Sequence, residues 1–246
     1  MTPPRLALVA CAVFEGEIAA ATAGAGHVAA VRFLEIGLHD RPDVLRTTLQ
    51  QALDELDARD DIDALALAYG LCGCGTAGLH ARRHPLVIPR GHDCITVFLG
   101  SKERYAAHCA ACPSCFFYTP GWNRARRVPG PERLAAARAD LAARFDPDDV
   151  EFLLDTERQL WTRHDTATYI DLGTADAEPE ADYARRCAEW LGWRFERLAG
   201  DPALLRDLLA GRWDADRFQV VAPGEQLAHS PDERIFKTSA PRSPSP

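Results

Sequence analysis

The sequence has little positive charge, almost no lysine and no long hydrophobic run. Its 246 residues include 28 Lys plus Arg against 36 Asp plus Glu, which gives a formal net charge of −8. Nucleic-acid-binding proteins need a basic surface, so this balance argues against that class. Lys102 and Lys237 are the lysines present, and we attribute their scarcity to compositional bias. No apolar run reaches the roughly 20 residues that a membrane-spanning helix requires.

Cysteine is the exception among these shortages. The chain contains eight cysteines. Its first apolar run, from Leu6 to Cys11, is too short for the core of a signal peptide followed by a cleavage site, so we expect a cytoplasmic protein. Clustered cysteines in a reducing compartment indicate metal binding or catalysis more often than disulfides.

Short apolar runs alternate with segments of helical periodicity. Strands are predicted at 5–11, 28–36, 62–69 and 86–89, and again at 115–118, 168–172, 194–198 and 218–222. Helical segments separate most of them, such as the one that Pro42 opens, where Leu45, Leu49 and Leu53 recur at helical spacing. The alternation predicts an α/β protein with a mostly parallel, Rossmann-like sheet and helices on both faces.

The division of the chain is predicted near residue 128. We expect an N-terminal α/β lobe over 1–128 that carries a Cys/His site, and a second, smaller α/β lobe over 129–236. One continuous sheet across both parts is the alternative. The composition of residues 237–246 is typical of a disordered tail.

Reactive or metal-binding side chains follow four of the predicted strands. In an open parallel sheet, ligands bind beyond the carboxyl ends of the strands, which lie at one edge of the sheet. The side chains concerned are Cys11, His39, Cys72 with Cys74, and His92 with Cys94. The pattern predicts a shared cluster of thiols and imidazoles.

Thiols and imidazoles are the ligands that zinc prefers in proteins. We expect Cys11, Cys72 and Cys94 to bind zinc, with His92 as a fourth ligand or as an acid–base group. Three protein ligands leave an open position and make a zinc site catalytic, whereas four make it structural. Bound zinc would activate either a water or a substrate thiol.

Two carboxylates are candidates for catalysis beside this cluster. Asp93 is either a catalytic partner that orients His92 or the N-cap of the following helix. Glu17 follows Cys11 at the start of a predicted helix and is a candidate general base.

Three further residues are candidates for substrate binding. Arg90 can bind a carboxylate or phosphate through two N–H groups, or form a salt bridge at the end of the sheet. His39 can contact a substrate or cap a helix. Trp122, in a Pro-Gly-Trp turn, can form the wall of a pocket or pack on the core.

Cys109, Cys112 and Cys115 form a separate CxxCxxC arrangement. Such spacing can supply three ligands of an iron–sulfur cluster or part of a zinc site. With Cys94 or Cys72 as the fourth ligand, the spacing matches no standard ferredoxin pattern, and three cysteines near a helix end can also be a chance patch. We therefore rank an iron–sulfur cluster below zinc at the strand ends.

A set of short stretches is more specific than any single residue. They are Cys11 after the first strand, Gly37-Leu38-His39, Tyr69-Gly70-Leu71-Cys72-Gly73, Arg90-Gly91-His92-Asp93-Cys94, and residues 99–105, 119–122 and 218–225. Together they resemble family 1638 of the domains of unknown function, a prokaryotic family without an established reaction. The resemblance extends over nearly the whole chain, to about residue 236.

The resemblance implies which of the candidate residues belong to family motifs. Those that match are Cys11, Cys72, His92, Asp93 and Cys94, whereas Cys74, Cys109, Cys112 and Cys115 match no family motif. It also implies an association with corrinoid methyl-transfer systems.

These observations favour a metal-dependent enzyme. Zinc would activate a thiol or water for methyl or other small-group transfer, or for hydrolysis, and the substrate would be a small molecule. One alternative is a non-enzymatic accessory protein that handles a metal, an iron–sulfur cluster or a corrinoid. The other is a metal-free enzyme with Cys94 as its nucleophile at a helix N-terminus.

Overall fold

The structure is a computed structural model that describes residues 2–240. Short runs of small and branched apolar residues form its strands. The strands are β1 (Leu6–Cys11), β2 (Val28–Leu34), β3 (Ala64–Ala68), β4 (Leu86–Pro89), β5 (Cys115–Tyr118), β6 (Thr166–Asp171), β7 (Arg194–Ala199), β8 (Phe218–Val221), β9 (Gln226–His229) and β10 (Phe236–Ser239). The α-helices are α1 (Glu15–Thr22), α2 (Pro42–Asp57), α3 (Cys94–Leu99), α4 (Lys102–Ala111), α5 (Pro120–Arg124), α6 (Pro131–Ala142), α7 (Pro147–Trp161), α8 (Ala177–Leu191) and α9 (Ala203–Leu209).

The chain forms two compact units, and the second is inserted into the sequence of the first. The first unit comprises the described residues up to Tyr105 and from Asp201 onward, and the second is Ala106–Gly200. The chain passes between the two units at residues 105/106 and 200/201. The division into lobes at residue 128 stays a prediction.

The first unit contains a five-stranded sheet in the order β2-β1-β3-β4-β8. Its first four strands are parallel, and β8 pairs antiparallel with β4. Every residue of β1, β3 and β4 is buried, which requires cover on both faces of the sheet. The predicted α/β fold with a mostly parallel sheet is confirmed.

Amphipathic helices provide that cover. In α2, Pro42 occupies the first turn, and Leu45, Leu49 and Leu53 are buried on one stripe. This helix packs on β1, β2 and β3, whereas α9 packs on β3 and β4 and contacts α1 and α3. No helix in residues 2–240 is long and apolar enough to cross a membrane.

The second unit contains a three-stranded parallel sheet in the order β5-β6-β7. Successive side chains of a strand point to opposite faces, so Tyr118, Ala167 and Tyr169 share one face. These residues pack with Ala184 and Cys187 of α8 in a hydrophobic cluster. The opposite face carries more polar side chains, and it holds the site described below.

An antiparallel hairpin of β9 and β10 ends the described part of the chain. Lys237, Thr238 and Ser239, which composition assigned to a disordered tail, pair with the strand Gln226–His229. Residues 241–246 of the predicted tail lie outside the described residues.

Arg90 links the end of β4 to β8 and β10. Its guanidinium donates to the backbone oxygens of Ala215, Phe218, Arg234 and Phe236, at 2.6–3.2 Å. It also donates to the side-chain oxygen of Gln219 at 2.9 Å. Arg90 is 7% exposed, and its bonds to Phe218 and Phe236 are buried, so they join the two strands in a place that water does not reach.

We expect Arg90→Met to lower the free energy of unfolding by about 3 kcal/mol, because the buried carbonyl oxygens of Phe218 and Phe236 lose a charged donor. Urea unfolding followed by circular dichroism measures the change. The control is Arg82→Met, whose guanidinium pairs with Asp54 and is 56% exposed. An exposed ion pair should contribute less than about 1 kcal/mol. Equal decreases in the free energy of unfolding for the two variants would contradict the role given to Arg90.

Candidate metal and thiol sites

The end of α4 and the start of β5 bring His108, Cys112 and Cys115 together in the second unit. His108 and Cys112 are four residues apart, so they lie on the same side of the helical turn. Cys112-Pro-Ser-Cys115 then forms a tight turn, in which the Cys115 N–H donates to the Cys112 carbonyl at 3.2 Å. The ligand atoms of the three residues all lie within 4.8 Å of one another, and all three side chains are half-buried.

Two polar residues of the sheet lie beside this group. Thr168 on β6 is paired in register with Glu196 on β7, and its hydroxyl donates to a Glu196 carboxylate oxygen at 3.0 Å. The same carboxylate oxygen is 3.7 Å from Nε2 of His108. This Nε2 is buried and has no hydrogen-bond partner within residues 2–240. This unpartnered nitrogen can bind a metal ion, or it can carry a proton that interacts with the Glu196 carboxylate.

The thiols of this group influence one another. Burial, followed by the neighbouring thiols of Cys112 and Cys109, raises the pKa of Cys115 to about 12. A metal ion would reverse this effect, because a coordinated thiol loses its proton. Two sulfurs and one imidazole nitrogen form a donor set that zinc accepts, and they leave one of four tetrahedral positions open.

The Cys112-x-x-Cys115 spacing also occurs in dithiol redox enzymes, but the helix here has the opposite polarity. Those enzymes place the reactive thiol at a helix N-terminus, where the dipole favours a thiolate. Cys112 instead directly follows the C-terminal end of α4, where the dipole disfavours negative charge. The arrangement therefore suits a metal better than dithiol catalysis.

Sequence reasoning considered these cysteines but not His108. The available signal was the spacing His108-x₃-Cys112, which places both side chains on one face if the segment is helical. His108 lies within α4 and outside the CxxCxxC pattern, so the cysteine spacing alone does not indicate it.

In the first unit, the sheet order places three of the predicted cysteines at one edge. Because β1, β3 and β4 are parallel neighbours, their carboxyl ends lie side by side. Cys11 ends β1, Cys72 follows β3, and Cys94 follows β4. Ala10 is paired with Ala68, so the next residue, Tyr69, lies beside Cys11.

The loops after β3 and β4 are tightly joined. The N–H of Leu71 donates to the Gly91 carbonyl and that of Cys72 to the His92 carbonyl, both at 2.9 Å. A Cβ atom on Gly70 would lie 2.6 Å from the Asp93 nitrogen, so only glycine fits there. Cys72 itself has a φ of 47°, a left-handed conformation that non-glycine residues rarely adopt.

Three thiols influence the buried hydroxyl of Tyr69 electrostatically. Burial raises the Tyr69 pKa, and Cys11, Cys72 and Cys94 raise it further. Burial, followed by Asp93 and Cys11, raises the pKa of Cys72 to about 12. Within residues 2–240, these thiols are not part of any group of three donors that all lie within 4.8 Å. A zinc ion shared by Cys11, Cys72, Cys94 and His92 stays a prediction.

The carboxylate of Asp93 is occupied by hydrogen bonds. One oxygen accepts from the backbone N–H groups of Ile95 and Thr96, at 3.0 and 3.3 Å, and so caps α3. The other accepts from the Tyr105 hydroxyl at 3.0 Å. Burial raises the Asp93 pKa, although the three hydrogen bonds oppose this shift.

The other predicted residues occupy varied positions. His92 is exposed, and Glu17 is buried on α1. His39 lies in a 3-10 turn, with Nε2 3.5 Å from Asp40. Trp122 belongs to the second unit, where it packs against the cluster under α8.

The fold and the site define a class of protein, an α/β protein with a mostly parallel sheet and a cysteine-rich group able to hold a metal. The chain belongs to the family described as "Protein of unknown function (DUF1638)", whose model matches residues 33–209. Cys11 and the stretch 218–225 lie outside this match, whereas Cys72, His92 and Cys94 lie inside it. Neither the curated proteins nor the solved structures contain a match to this chain.

We expect iodoacetamide near neutral pH to modify Cys74 in the folded protein and to leave Cys72 unmodified. Cys74 is exposed, whereas Cys72 is 8% exposed and has a raised pKa, and only the thiolate reacts. Tandem mass spectrometry of the peptide that contains both residues measures each modification. Both should react in urea, and equal rates in the folded protein would contradict the buried position of Cys72.

Proposed function

We propose that this protein binds zinc through His108, Cys112 and Cys115. In this proposal the metal activates a water or a thiol for small-group transfer, such as methyl transfer, or for hydrolysis of a small-molecule substrate. The observation that carries the proposal is the convergence of three donor atoms within 4.8 Å. One of these residues has a buried imidazole nitrogen without a hydrogen-bond partner among the described residues.

The donor set favours zinc over the alternatives. Zinc accepts mixed sulfur and nitrogen ligands, and a Cys-x₂-Cys turn is a frequent part of its sites. An iron–sulfur cluster is usually held by four cysteines, whereas this group contains two cysteines and a histidine. Zinc has no redox chemistry of its own and acts as a Lewis acid, which suits group transfer or hydrolysis.

An open coordination position supports an enzyme rather than a structural site. Cys109 influences Cys115 electrostatically, but its thiol is not part of the group within 4.8 Å. Three protein ligands with a fourth position for water or substrate are the pattern of catalytic zinc. The half-buried side chains leave this position accessible from solvent.

Glu196 is suited to orient His108. Metal-bound histidines usually donate their second ring N–H to a carboxylate, which fixes the tautomer and the ring orientation. The 3.7 Å separation between Glu196 and Nε2 of His108 can close to a hydrogen bond by a small movement of either side chain. Glu196 would then bond the Nε2 that now lacks a partner, and Nδ1 would be the ring nitrogen that binds the metal.

A closed site is the second candidate, and the position of Cys109 favours it. If the Cys109 thiol moves onto the metal, four protein ligands fill the tetrahedron, and the protein becomes a metal carrier or accessory protein. A corrinoid or methyl-transfer system would be its partner. Either function requires reduced thiols, so a cytoplasmic location is part of the proposal.

We expect the protein, purified without chelators, to contain one zinc ion per chain by elemental analysis. Cys112→Ser combined with Cys115→Ser should abolish this binding, because both thiolate ligands are lost. Cys74→Ser is the control, since it changes an exposed cysteine of the other unit. Wild-type protein without metal, or full zinc retention in the double variant, would contradict the proposal.

We expect Glu196→Gln to weaken zinc binding about 10-fold, because loss of a carboxylate partner of a ligating histidine typically lowers affinity 10- to 100-fold. Competition with a chromophoric chelator measures the dissociation constant. Glu189→Gln on the exposed side of α8 is the control for the charge change. Equal affinities of the two variants would show that Glu196 does not position His108.

A further inference from the structure

The central sheet of the first unit reverses its winding direction between β1 and β3. From β1 the chain moves to β2 on one side and then returns to β3 on the other, which gives the order β2-β1-β3-β4. In open α/β sheets, ligands bind in the crevice at such a reversal, beyond the carboxyl ends of the two strands. Cys11 ends one of these strands, and Tyr69 and Cys72 follow the other.

Both sulfurs at this edge of the sheet belong to buried residues, since Cys11 is 7% and Cys72 8% exposed. Burial raises the pKa of each thiol, and the backbone N–H groups of Val13 and Gly70 oppose that rise. A thiol is a weak acceptor for such bonds, whereas a thiolate is a strong one. A metal ion that removes the thiol protons would therefore strengthen the interaction of both sulfurs with these N–H groups.

The Tyr69 hydroxyl is a third donor of this kind. Tyr69 is 4% exposed, and its hydroxyl has no hydrogen-bond partner among the residues that the structure describes. The pairing of Ala10 with Ala68 places Tyr69 beside Cys11, and the thiols of Cys11, Cys72 and Cys94 all raise the Tyr69 pKa. A buried hydroxyl without a good acceptor is costly by roughly 1–3 kcal/mol, and a thiolate beside it would supply that acceptor.

We propose that the crevice between β1 and β3 binds a soft monovalent metal ion of the Cu(I) type, through the sulfur atoms of Cys11 and Cys72. Each thiol releases its proton to solvent when its sulfur coordinates the metal, and the oxidation state of the metal does not change. Tyr69 then donates its hydroxyl to a thiolate. This site is separate from the zinc site proposed above and does not depend on it.

The number of donors decides the kind of metal. Zinc sites in proteins use three or four protein ligands, and no group of three donors within 4.8 Å exists at this edge in the described chain. Soft thiolates select Cu(I), and a d¹⁰ monovalent ion is stable with two sulfurs in a line. Hence two buried thiols are sufficient for Cu(I) but insufficient for zinc.

The loop that carries Cys72 is rigid before any metal binds. Its hydrogen bonds to the loop after β4 and the close approach at Gly70 hold it in one conformation. Cys72 is kept in a left-handed conformation that is unfavourable for a non-glycine residue. A site held in this way loses little conformational entropy on binding.

The test uses full-length protein with the second-unit ligands removed, by His108→Ala, Cys109→Ser, Cys112→Ser and Cys115→Ser. Cu(I) is titrated without oxygen against bicinchoninate, and circular dichroism confirms folding. We expect one Cu(I) per chain. We also expect a loss of at least 100-fold in affinity when Cys11→Ser or Cys72→Ser is added.

Two variants separate the site from general thiol binding. Cys74→Ser, two residues beyond Cys72 in the same loop, should leave the affinity unchanged. Tyr69→Phe should weaken binding several-fold, because it removes only the hydroxyl donor. X-ray absorption of the copper-bound protein should show two sulfur neighbours, which remains informative if a cysteine variant fails to fold.

The inference would be overturned if the folded protein that lacks the second-unit ligands bound no Cu(I). It would also be overturned if the Cu(I) affinity were the same with and without Cys11 and Cys72, or if the bound copper lacked two sulfur neighbours. Retention of zinc instead of Cu(I) by that protein would also overturn it. If wild-type protein contained no zinc but Cys11 and Cys72 still bound Cu(I), only the function proposed above would be contradicted.

Discussion

Backbone pairing between the β3 and β4 segments is the constraint on which the first unit depends. It continues beyond both strands, through the bonds from Leu71 to Gly91 and from Cys72 to His92. The pairing requires glycine at position 70, because any side chain there would meet the Asp93 backbone. It also fixes where Cys72 lies relative to Cys11, and Asp93 in turn caps α3. Strand pairing, rather than any side-chain interaction, therefore sets the positions of the thiols.

Much of the fold could be predicted because the signals were local. Apolar runs such as Leu6–Cys11 and Ala64–Ala68 are too short for helices and too apolar for exposed strands, so they indicate a parallel sheet. Pro42 indicated where α2 begins, and the helical spacing of the leucines indicated that the segment is a helix. The carboxyl ends of β1, β3 and β4 lie at one edge because these neighbouring strands are parallel.

Features that depend on distant pairing were not predictable in the same way. The direction of β8 depends on its partner β4, and the sequence 218–221 is equally compatible with either orientation. Lys237–Ser239 is polar in composition and becomes a strand only through β9. Arg90 was considered for substrate binding, yet its acceptors come from residues 125–146 positions away in the chain. His108 was overlooked for a related reason, because its partners are recognised only when the turn after α4 is known.

The left-handed conformation of Cys72 affects which residues can replace it as the sequence diverges. Glycine adopts that conformation without steric penalty, whereas any other L-residue is disfavoured by roughly 1–2 kcal/mol. Gly73, between two cysteines in the same conformation, is the residue that stability alone would select at all three positions. Random substitution toward a more stable protein would thus tend to replace the thiol at position 72. Homologous chains that bear glycine there would be natural examples of the fold without the crevice chemistry.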